Sequence, residues 1–227
     1  MLAIAYPCCF TASINLIVII METTTPARPG RPLSFDRQAA LEKAMLVFWQ
    51  HGYESTSVSD LTAAMGVTAP SIYTAYGDKK RLFLEAMYLY AGPPDQLQQA
   101  LDQAPTARDA ASTMLISAAN AFTGGATPRG CLLASATASG PAGSADVQRA
   151  VADVRQGIIA RLRDRIDRDI AAGILPDTAS AAVLAALIVT VIQGLSVLAR
   201  DGVARESLIL VAKCAMQAWP VSQTNGN

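Results

Sequence analysis

Residues 57–78 read SVSDLTAAMGVTAPSIYTAYGD, which contains two short helical patterns joined by a glycine. Ser57, followed three residues later by Asp60, is typical of the capping box that begins a helix. Gly66 stands where this first helix must end, and Thr68 is a residue type that caps a second one. Two short helices joined by a tight turn predict a helix-turn-helix.

The second helix of this motif is predicted over residues 68–76, and Pro70 in its first turn is compatible with helix. It carries hydroxyl groups and two tyrosines but no long charged side chain. We therefore expect hydroxyl contacts with phosphates and apolar contacts with thymine methyl groups in a major groove. An alternative stays open, because the two tyrosines could be ordinary packing residues. The candidate DNA contacts are Thr68, Ala69, Pro70, Ser71, Tyr73, Thr74 and Tyr76.

Helical patterns on both sides of the motif complete a small DNA-binding domain, predicted over residues 35–91. The preceding helix begins near Asp36 and ends at Gly52, and a further helix begins at Asp78. Each has an apolar face at helical spacing, formed by Leu41, Ala44, Met45 and Phe48 in one and by Leu82, Phe83, Ala86, Met87 and Tyr90 in the other.

The net charge of the chain is zero, so any basic footprint for DNA must be local. Arg28 and Arg31 lie in a Thr-, Pro- and Gly-rich arm and could enter a minor groove. Lys79 stands at the start of a helix, where its charge and the free N–H groups could hold a phosphate. The alternative is that the triplet Lys79–Arg81 is a solvated face.

Residues 1–34 are interpreted as a leader followed by the flexible arm. Residues 1–20 contain no charged residue. They indicate a mis-assigned start with Met21 as the true one, an unstructured leader, or a signal peptide or membrane anchor. No Lys or Arg precedes Arg28, which disfavours a signal peptide. Pro7 interrupts the apolar run, which disfavours a membrane anchor.

The run Gly92-Pro93-Pro94 predicts a domain boundary, followed by a helical domain over residues 92–220 and a tail at 221–227. The fold class is therefore all-α. Its helices are predicted at 94–104, 107–123, 131–139, 144–172, 177–201 and 204–219. A charged run in the helix at 144–172 is interpreted as a solvated face, formed by Arg161, Arg163, Asp164, Arg165, Asp167, Arg168 and Asp169.

The helix predicted at 177–201 is apolar almost all round, which is typical of a helix buried in a core or an interface. Together with the helix at 204–219 it could form a four-helix bundle with a second copy, which predicts a homodimer. A pocket for an unknown small-molecule effector is expected between the helices of this domain.

The residues that support metal or catalytic chemistry are few. There is one histidine, His51, and the four cysteines, Cys8, Cys9, Cys131 and Cys214, include no CxxC pair. The chain also has no glycine-flanked nucleophilic serine and no phosphate-binding loop. We therefore expect no enzyme, no metal and no cofactor, and the scattered thiols favour a reducing cytoplasm.

The stretch from Arg31 to Tyr90 resembles the TetR/AcrR family of bacterial repressors. The resemblance is carried by Gly52-Tyr53, Thr56-Ser57-Val58, Gly66-Val67, Pro70-Ser71-Ile72-Tyr73 and Tyr76-Gly77-Asp78-Lys79. It implies that Thr68–Tyr76 is the recognition helix and that Tyr73, Lys79 and Ser57 contact phosphates. It further implies dimerisation through the last two long helices and release from a palindromic operator by an effector.

The segment Pro128–Leu133 resembles a subgroup of this family, some of whose members respond to electrophiles or oxidants through a cysteine. Cys131 is therefore a candidate effector residue, with a thiol pKa lowered by a helix N-terminus and by Arg129. A buried structural cysteine is the alternative.

These observations predict a regulator that binds double-stranded DNA, with two recognition helices about 34–36 Å apart on a near-palindrome. Two alternatives stay open. One is a helical regulator that acts through a protein partner without a small ligand, and the other is a membrane-associated protein using residues 1–20 or 179–198.

Overall fold

The computed structural model describes residues 35–135 and 144–220, and every regular element within these ranges is helical. Arg28 and Arg31, the leader and the tail at 221–227 lie outside the described residues. The helices are α1 Arg37–His51, α2 Val58–Met65, α3 Ala69–Tyr76, α4 Lys79–Ala91, α5 Pro94–Gln103, α6 Ala107–Phe122, α7 Leu132–Ser135, α8 Ala145–Ala171, α9 Ala181–Arg200 and α10 Arg205–Ala215, followed by a 3₁₀ turn at Met216–Ala218.

The four N-terminal helices begin at the predicted caps, so these predictions are confirmed. The side chains of Asp36, Ser57, Thr68 and Asp78 each accept a hydrogen bond from the backbone N–H three residues further on. Gly66 has a φ of 72° and a ψ of 31°, the left-handed conformation that side chains disfavour. Local sequence alone therefore determines where these helices start and where the chain turns.

The apolar faces of α1 and α4 pack on each other and on the helix-turn-helix. Phe48 and Phe83 meet edge to face with ring centroids 5.1 Å apart, and both are fully buried. Leu61 of α2 and Ile72 of α3 complete this core with exposures of 0% and 1%. This shared core fixes the orientation of α3 relative to α2, and so determines which side of α3 faces solvent.

The helices after the Gly92 break follow the predicted order with shifted ends. The helix predicted from residue 177 begins at Ala181, because the Ser180 side chain caps it by accepting from Val183 N–H. The helix predicted at 204–219 ends at Ala215 and continues as the 3₁₀ turn. Buried residues on both sides of the break belong to one continuous core, and a domain boundary there stays a prediction.

Four of the seven charged residues of the run on α8 are exposed as predicted and Arg161 is half-buried, but the interpretation as a solvated face is wrong for the other two. Arg165 and Asp169 are 7% and 3% exposed and form an ion pair with each other. The Arg165 guanidinium also donates to the carbonyl of Leu101, and Asp169 accepts from Ala107 N–H at 2.6 Å. Burial is tolerated here because the two charges neutralise each other and backbone groups use their remaining hydrogen-bonding capacity.

Among the described residues, α9 is the one helix long and apolar enough to cross a membrane by length and composition. It packs instead against α6, α8 and α10, and its inward side chains, such as Ile188 and Leu195, are buried. Val183 and Val197 of α9 and Leu210 of α10 stay exposed, by 64%, 55% and 64%. These two helices therefore leave an apolar surface uncovered within one protomer.

Candidate nucleic-acid interface and effector cavity

One face of α3 is buried and the opposite face is open. Ile72 and Tyr76 are 1% and 3% exposed. Tyr73 is 51% exposed, and Thr74 beside it is exposed as well. The candidates from the sequence that are exposed or half-buried are Thr68, Ala69, Pro70, Ser71, Tyr73 and Thr74.

Tyr76 does not belong to this surface, so its assignment as a DNA contact is wrong and the packing interpretation is right. Its ring lies in the core, and its hydroxyl donates a 2.7 Å hydrogen bond to the carbonyl oxygen of Arg37. Burial raises the pKa of this phenol above its ordinary value. Helical geometry explains the difference from Tyr73, because residues three apart are offset by about 60° around a helix axis, and the core lies on one side only.

Arg37 determines how α3 is held, a role the sequence analysis missed. Its guanidinium donates to Glu85 at 2.7 Å and to the carbonyl oxygen of Ala75 at 3.3 Å, and it lies 4.4 Å from the centroid of the Tyr76 ring. One side chain of α1 therefore joins the C-terminal end of α3 to α4. No local pattern marks Arg37, since its partners lie 38 and 48 residues away.

The hydroxyl groups of α3 are arranged by short-range hydrogen bonds. The Thr68 and Ser71 oxygens are 2.9 Å apart, and Thr74 donates to the carbonyl oxygen of Pro70 at 2.9 Å. Because one of the two hydroxyl protons of the Thr68–Ser71 pair is used within the pair, the other is free for an external acceptor. This end of α3 can thus donate to a phosphate or a base edge without rearrangement.

The side chains of Ser57 and Lys79 differ in whether they have hydrogen-bond donors left for a phosphate. The Ser57 hydroxyl donates to Asp60 at 2.7 Å within the capping box, and this bond lowers the Asp60 carboxyl pKa. Ser57 therefore serves the helix start, and its hydroxyl proton is already engaged.

The Lys79 ammonium lies 4.5 Å from the Tyr53 ring centroid and 3.4 Å from the Glu54 carbonyl oxygen. Partial burial lowers the pKa of Lys79. The ammonium retains donors for a phosphate, and the ring holds it in place. Its neighbour Lys80 instead pairs with Asp146 of α8 at 3.1 Å, so the basic triplet has no common role.

A cavity of about 340 Å³ lies behind the DNA-binding domain, between α4, α6, α8 and α9. Its walls are mostly apolar, and the polar groups on them are few. The side chains that line it include Tyr90, Met114, Cys131, Arg161, Val189 and Ile192. A volume of this size lies within the range of small-molecule sites, which supports the expectation of a ligand pocket in this half of the chain.

Cys131 lies on the wall of this cavity and is 4% exposed. The expected lowering of its thiol pKa is wrong, because burial raises it. The Tyr90 hydroxyl donates a hydrogen bond to Sγ at 3.3 Å, and the backbone N–H groups of Ala134 and Leu133 at the start of α7 donate to Sγ as well. These hydrogen bonds lower the thiol pKa, but by less than burial raises it.

The cation near the Cys131 thiol is also not the predicted one. Arg129 donates to the carbonyl oxygens of Ala199 and Val203 at 2.7 and 2.9 Å, so its charge caps the end of α9. The arginine that acts on Cys131 is Arg200. The structure therefore supports the alternative interpretation, in which Cys131 is a buried cysteine.

The arrangement of the N-terminal helices agrees with a known family. The sequence model of the family described as bacterial regulatory proteins, tetR family, matches residues 40–86. The HTH-type transcriptional repressor ComR of Escherichia coli (strain K12) is 32% identical over 193 residues, which cover 84% of this chain and 92% of ComR. The chain belongs to the TetR family.

Solved structures of TetR-family regulators agree in fold. A cysteine mutant of the TetR family transcriptional regulator CifR, in complex with 26-base-pair operator DNA, is 41% identical to this chain. The match covers 84% of this chain and all of CifR, with a TM-score of 0.80. A TetR regulator from Rhodococcus sp. RHA1 is 34% identical, with a TM-score of 0.56 over 82% of this chain and all of the other.

This TetR-family chain is a DNA-binding transcriptional regulator. The family match over residues 40–86 runs from α1 into α4 and so includes the whole helix-turn-helix. The homologues are regulators and not enzymes. Among the described residues, no group of three or more His, Cys, Asp or Glu side chains is placed to hold a metal ion.

Proposed function

We propose that this chain represses transcription by inserting α3 into the major groove of an operator and releases the DNA when a small molecule enters the cavity. The observation that carries the proposal is the two-sided character of α3, which buries Ile72 and Tyr76 and exposes Tyr73 by 51%. A helix held by one face and open on the other can enter a groove about 12 Å wide. The operator complex of CifR, a relative of the same fold, supports this assignment.

Within this proposal the contacts divide into two sets. Tyr73 and Lys79 hold phosphates at the edges of the groove, where they position the helix without selecting a sequence. Base edges and thymine methyl groups are left to the open face of α3, formed by Thr68, Ala69, Pro70, Ser71 and Thr74. Arg28 and Arg31, outside the described residues, would follow the adjacent minor groove.

The proposal requires a dimer. Val183 and Val197 of α9 and Leu210 of α10 are apolar and exposed in the protomer, as expected for a surface that a second copy covers. A two-fold pair built on α9 and α10 would present two α3 helices to one duplex. Since the duplex is the target, we place the protein in the cytoplasm.

Release would follow from coupling between the cavity and α4. Tyr90 belongs to α4 and contributes to the cavity wall, and α4 packs on α1 within the DNA-binding domain. A ligand that prefers a different α4 position would shift the population of dimers towards a spacing that does not match successive major grooves. Cys131 on the same wall remains a candidate for contact with that ligand.

Selection of genomic fragments by the purified chain, followed by footprinting, tests the proposal. We expect protected half-sites related by two-fold symmetry and separated by one duplex turn, with an affinity that decreases steeply with salt. Binding without a preferred sequence, or protection of a single half-site by a monomer, would contradict it.

A further inference from the structure

The charged side chains of the cavity lining all lie on the wall that α8 contributes, and the rest of the lining is uncharged and mostly apolar. Asp153, Arg155 and Arg161 lie on this wall, which gives it one net positive charge. Arg155 donates to the carbonyl oxygen of Leu133 at 3.1 Å. Arg161 donates to the carbonyl oxygen of Gly157, in its own helix, at 3.1 Å and makes no ion pair with any described residue.

The Arg161 guanidinium lies against the helix backbone at Gly157. A glycine in the interior of a helix costs roughly 0.5–1 kcal/mol relative to alanine, and Gly157 lies near the middle of the 27-residue helix α8. A Cβ at this position would lie 3.2 Å from the Nη1 atom of Arg161. The guanidinium therefore lies close against the helix backbone at Gly157, at the cavity wall.

An arginine held against a largely apolar cavity without a carboxylate partner is a site for an anion. Its donors beyond Nη1 have no protein acceptor among the described residues, and the low polarity of the surroundings strengthens any ion pair formed there. Met114, Val189 and Ile192 on the facing walls favour apolar groups. Asp153 on the same wall opposes a second negative charge.

We infer that the cavity binds an apolar monocarboxylate, whose carboxylate pairs with Arg161 and whose hydrocarbon part fills the space against α6 and α9. The inference rests on the proposed function, since it names the class of effector for the same cavity. A cavity of roughly 150 Å³ holds one benzene ring. The volume of about 340 Å³ therefore fits a ligand about twice as large.

Calorimetry on the purified chain without DNA tests this assignment. The probes are decanoate and 4-phenylbutanoate, each compared with the alcohol of the same carbon skeleton. The acids should bind more tightly than the alcohols. Arg161→Gln should weaken the acids by at least about tenfold, the loss of one charge-assisted hydrogen bond, and leave the alcohols within about twofold.

Three controls make the result specific to the Arg161 guanidinium. Arg163→Gln changes an exposed arginine of the same helix that pairs with Asp164 and should leave all affinities unchanged. Arg161→Lys keeps the charge and should retain part of the preference for acids. Gly157→Ala should weaken the acids by less than Arg161→Gln does, because its Cβ shifts the guanidinium by only a few tenths of an ångström. Thermal unfolding of each variant checks that it is folded.

Equal binding of acids and alcohols, no binding of any probe, or the same acid affinity in Arg161→Gln would overturn the inference. Operator release is measured separately by adding the acids to the DNA complex. If the acids bind the free protein and the complex persists, the inference stands and the proposed release mechanism fails. If they do not bind while operator binding is intact, the inference alone fails.

Discussion

The indole Nε1 of Trp49 donates a 3.1 Å hydrogen bond to the carbonyl oxygen of Gly130, 81 residues further along the chain. The Trp49 ring also meets Tyr90 edge to face at 4.8 Å, and Arg200 donates to the Trp49 carbonyl oxygen at 2.5 Å. The end of α1 is therefore joined at one point to the loop before Cys131 and to α9.

Trp49→Phe should destabilise the protein by about 1–3 kcal/mol, because it leaves the buried Gly130 carbonyl without its donor. Urea unfolding measures the change. Trp219→Phe is the matched control, since the Trp219 indole is 4% exposed and its N–H has no acceptor among the described residues. An equal loss of stability in both variants would mean that ring volume and not the hydrogen bond is responsible.

Asp169→Asn should lower the free energy of unfolding by about 3–5 kcal/mol, because the buried Arg165 guanidinium loses its counter-charge. Asp164→Asn removes the carboxylate of an exposed pair with Arg163 on the same helix and should have a far smaller effect. Chemical unfolding compares the two. Similar values for the two variants would show that the interior pair does not need both charges.

The double variant Tyr73→Ala with Lys79→Ala should weaken operator and unrelated DNA alike, by roughly 10–100-fold, since both side chains are assigned to phosphates. The slope of log affinity against log salt should decrease by roughly one for the lost lysine. Fluorescence anisotropy at several salt concentrations measures both. Lys43→Ala, an exposed lysine of α1, controls for net charge, and an unchanged salt slope in the double variant would refute the docking.

Cys131 should react with iodoacetamide more slowly than the exposed Cys214 at neutral pH, because burial raises its thiol pKa and covers the sulfur. Its rate should rise with pH through a midpoint above the ordinary thiol value, as the thiolate forms only there. Tyr90→Phe removes a hydrogen bond that lowers this pKa and should move the midpoint further up. Peptide mass spectrometry follows each cysteine, and faster labelling of Cys131 would contradict the assignment.

Leu210→Glu should raise the dimer dissociation constant by roughly a hundredfold or more, because it places a charge in an interface that excludes water. Leu210 is 64% exposed in the protomer. Ile174→Glu is the control, since Ile174 is 46% exposed but lies outside α9 and α10. Sedimentation velocity measures the assembly, and an unaffected dimer in the Leu210 variant would place the interface elsewhere.

The residues around the helix-turn-helix were predictable because their signals are local. A cap such as Thr68 acts within three residues, and Gly66 acts through its own backbone. The apolar spacing of α1 and α4 likewise depends on neighbours along one helix. The helix order could thus be inferred from the sequence.

Which charged and aromatic side chains lie inside was decided by the tertiary structure. Arg165 and its exposed neighbour Arg163 have similar local sequences, and only the approach of α5 and α6 buries the first. Tyr76 lies on the face of α3 that packs on the core, and its hydroxyl donates to the carbonyl oxygen of Arg37, far away in the chain. Local sequence determines where a helix begins and ends, whereas burial depends on which distant helix packs beside it, and no short pattern contains that partner.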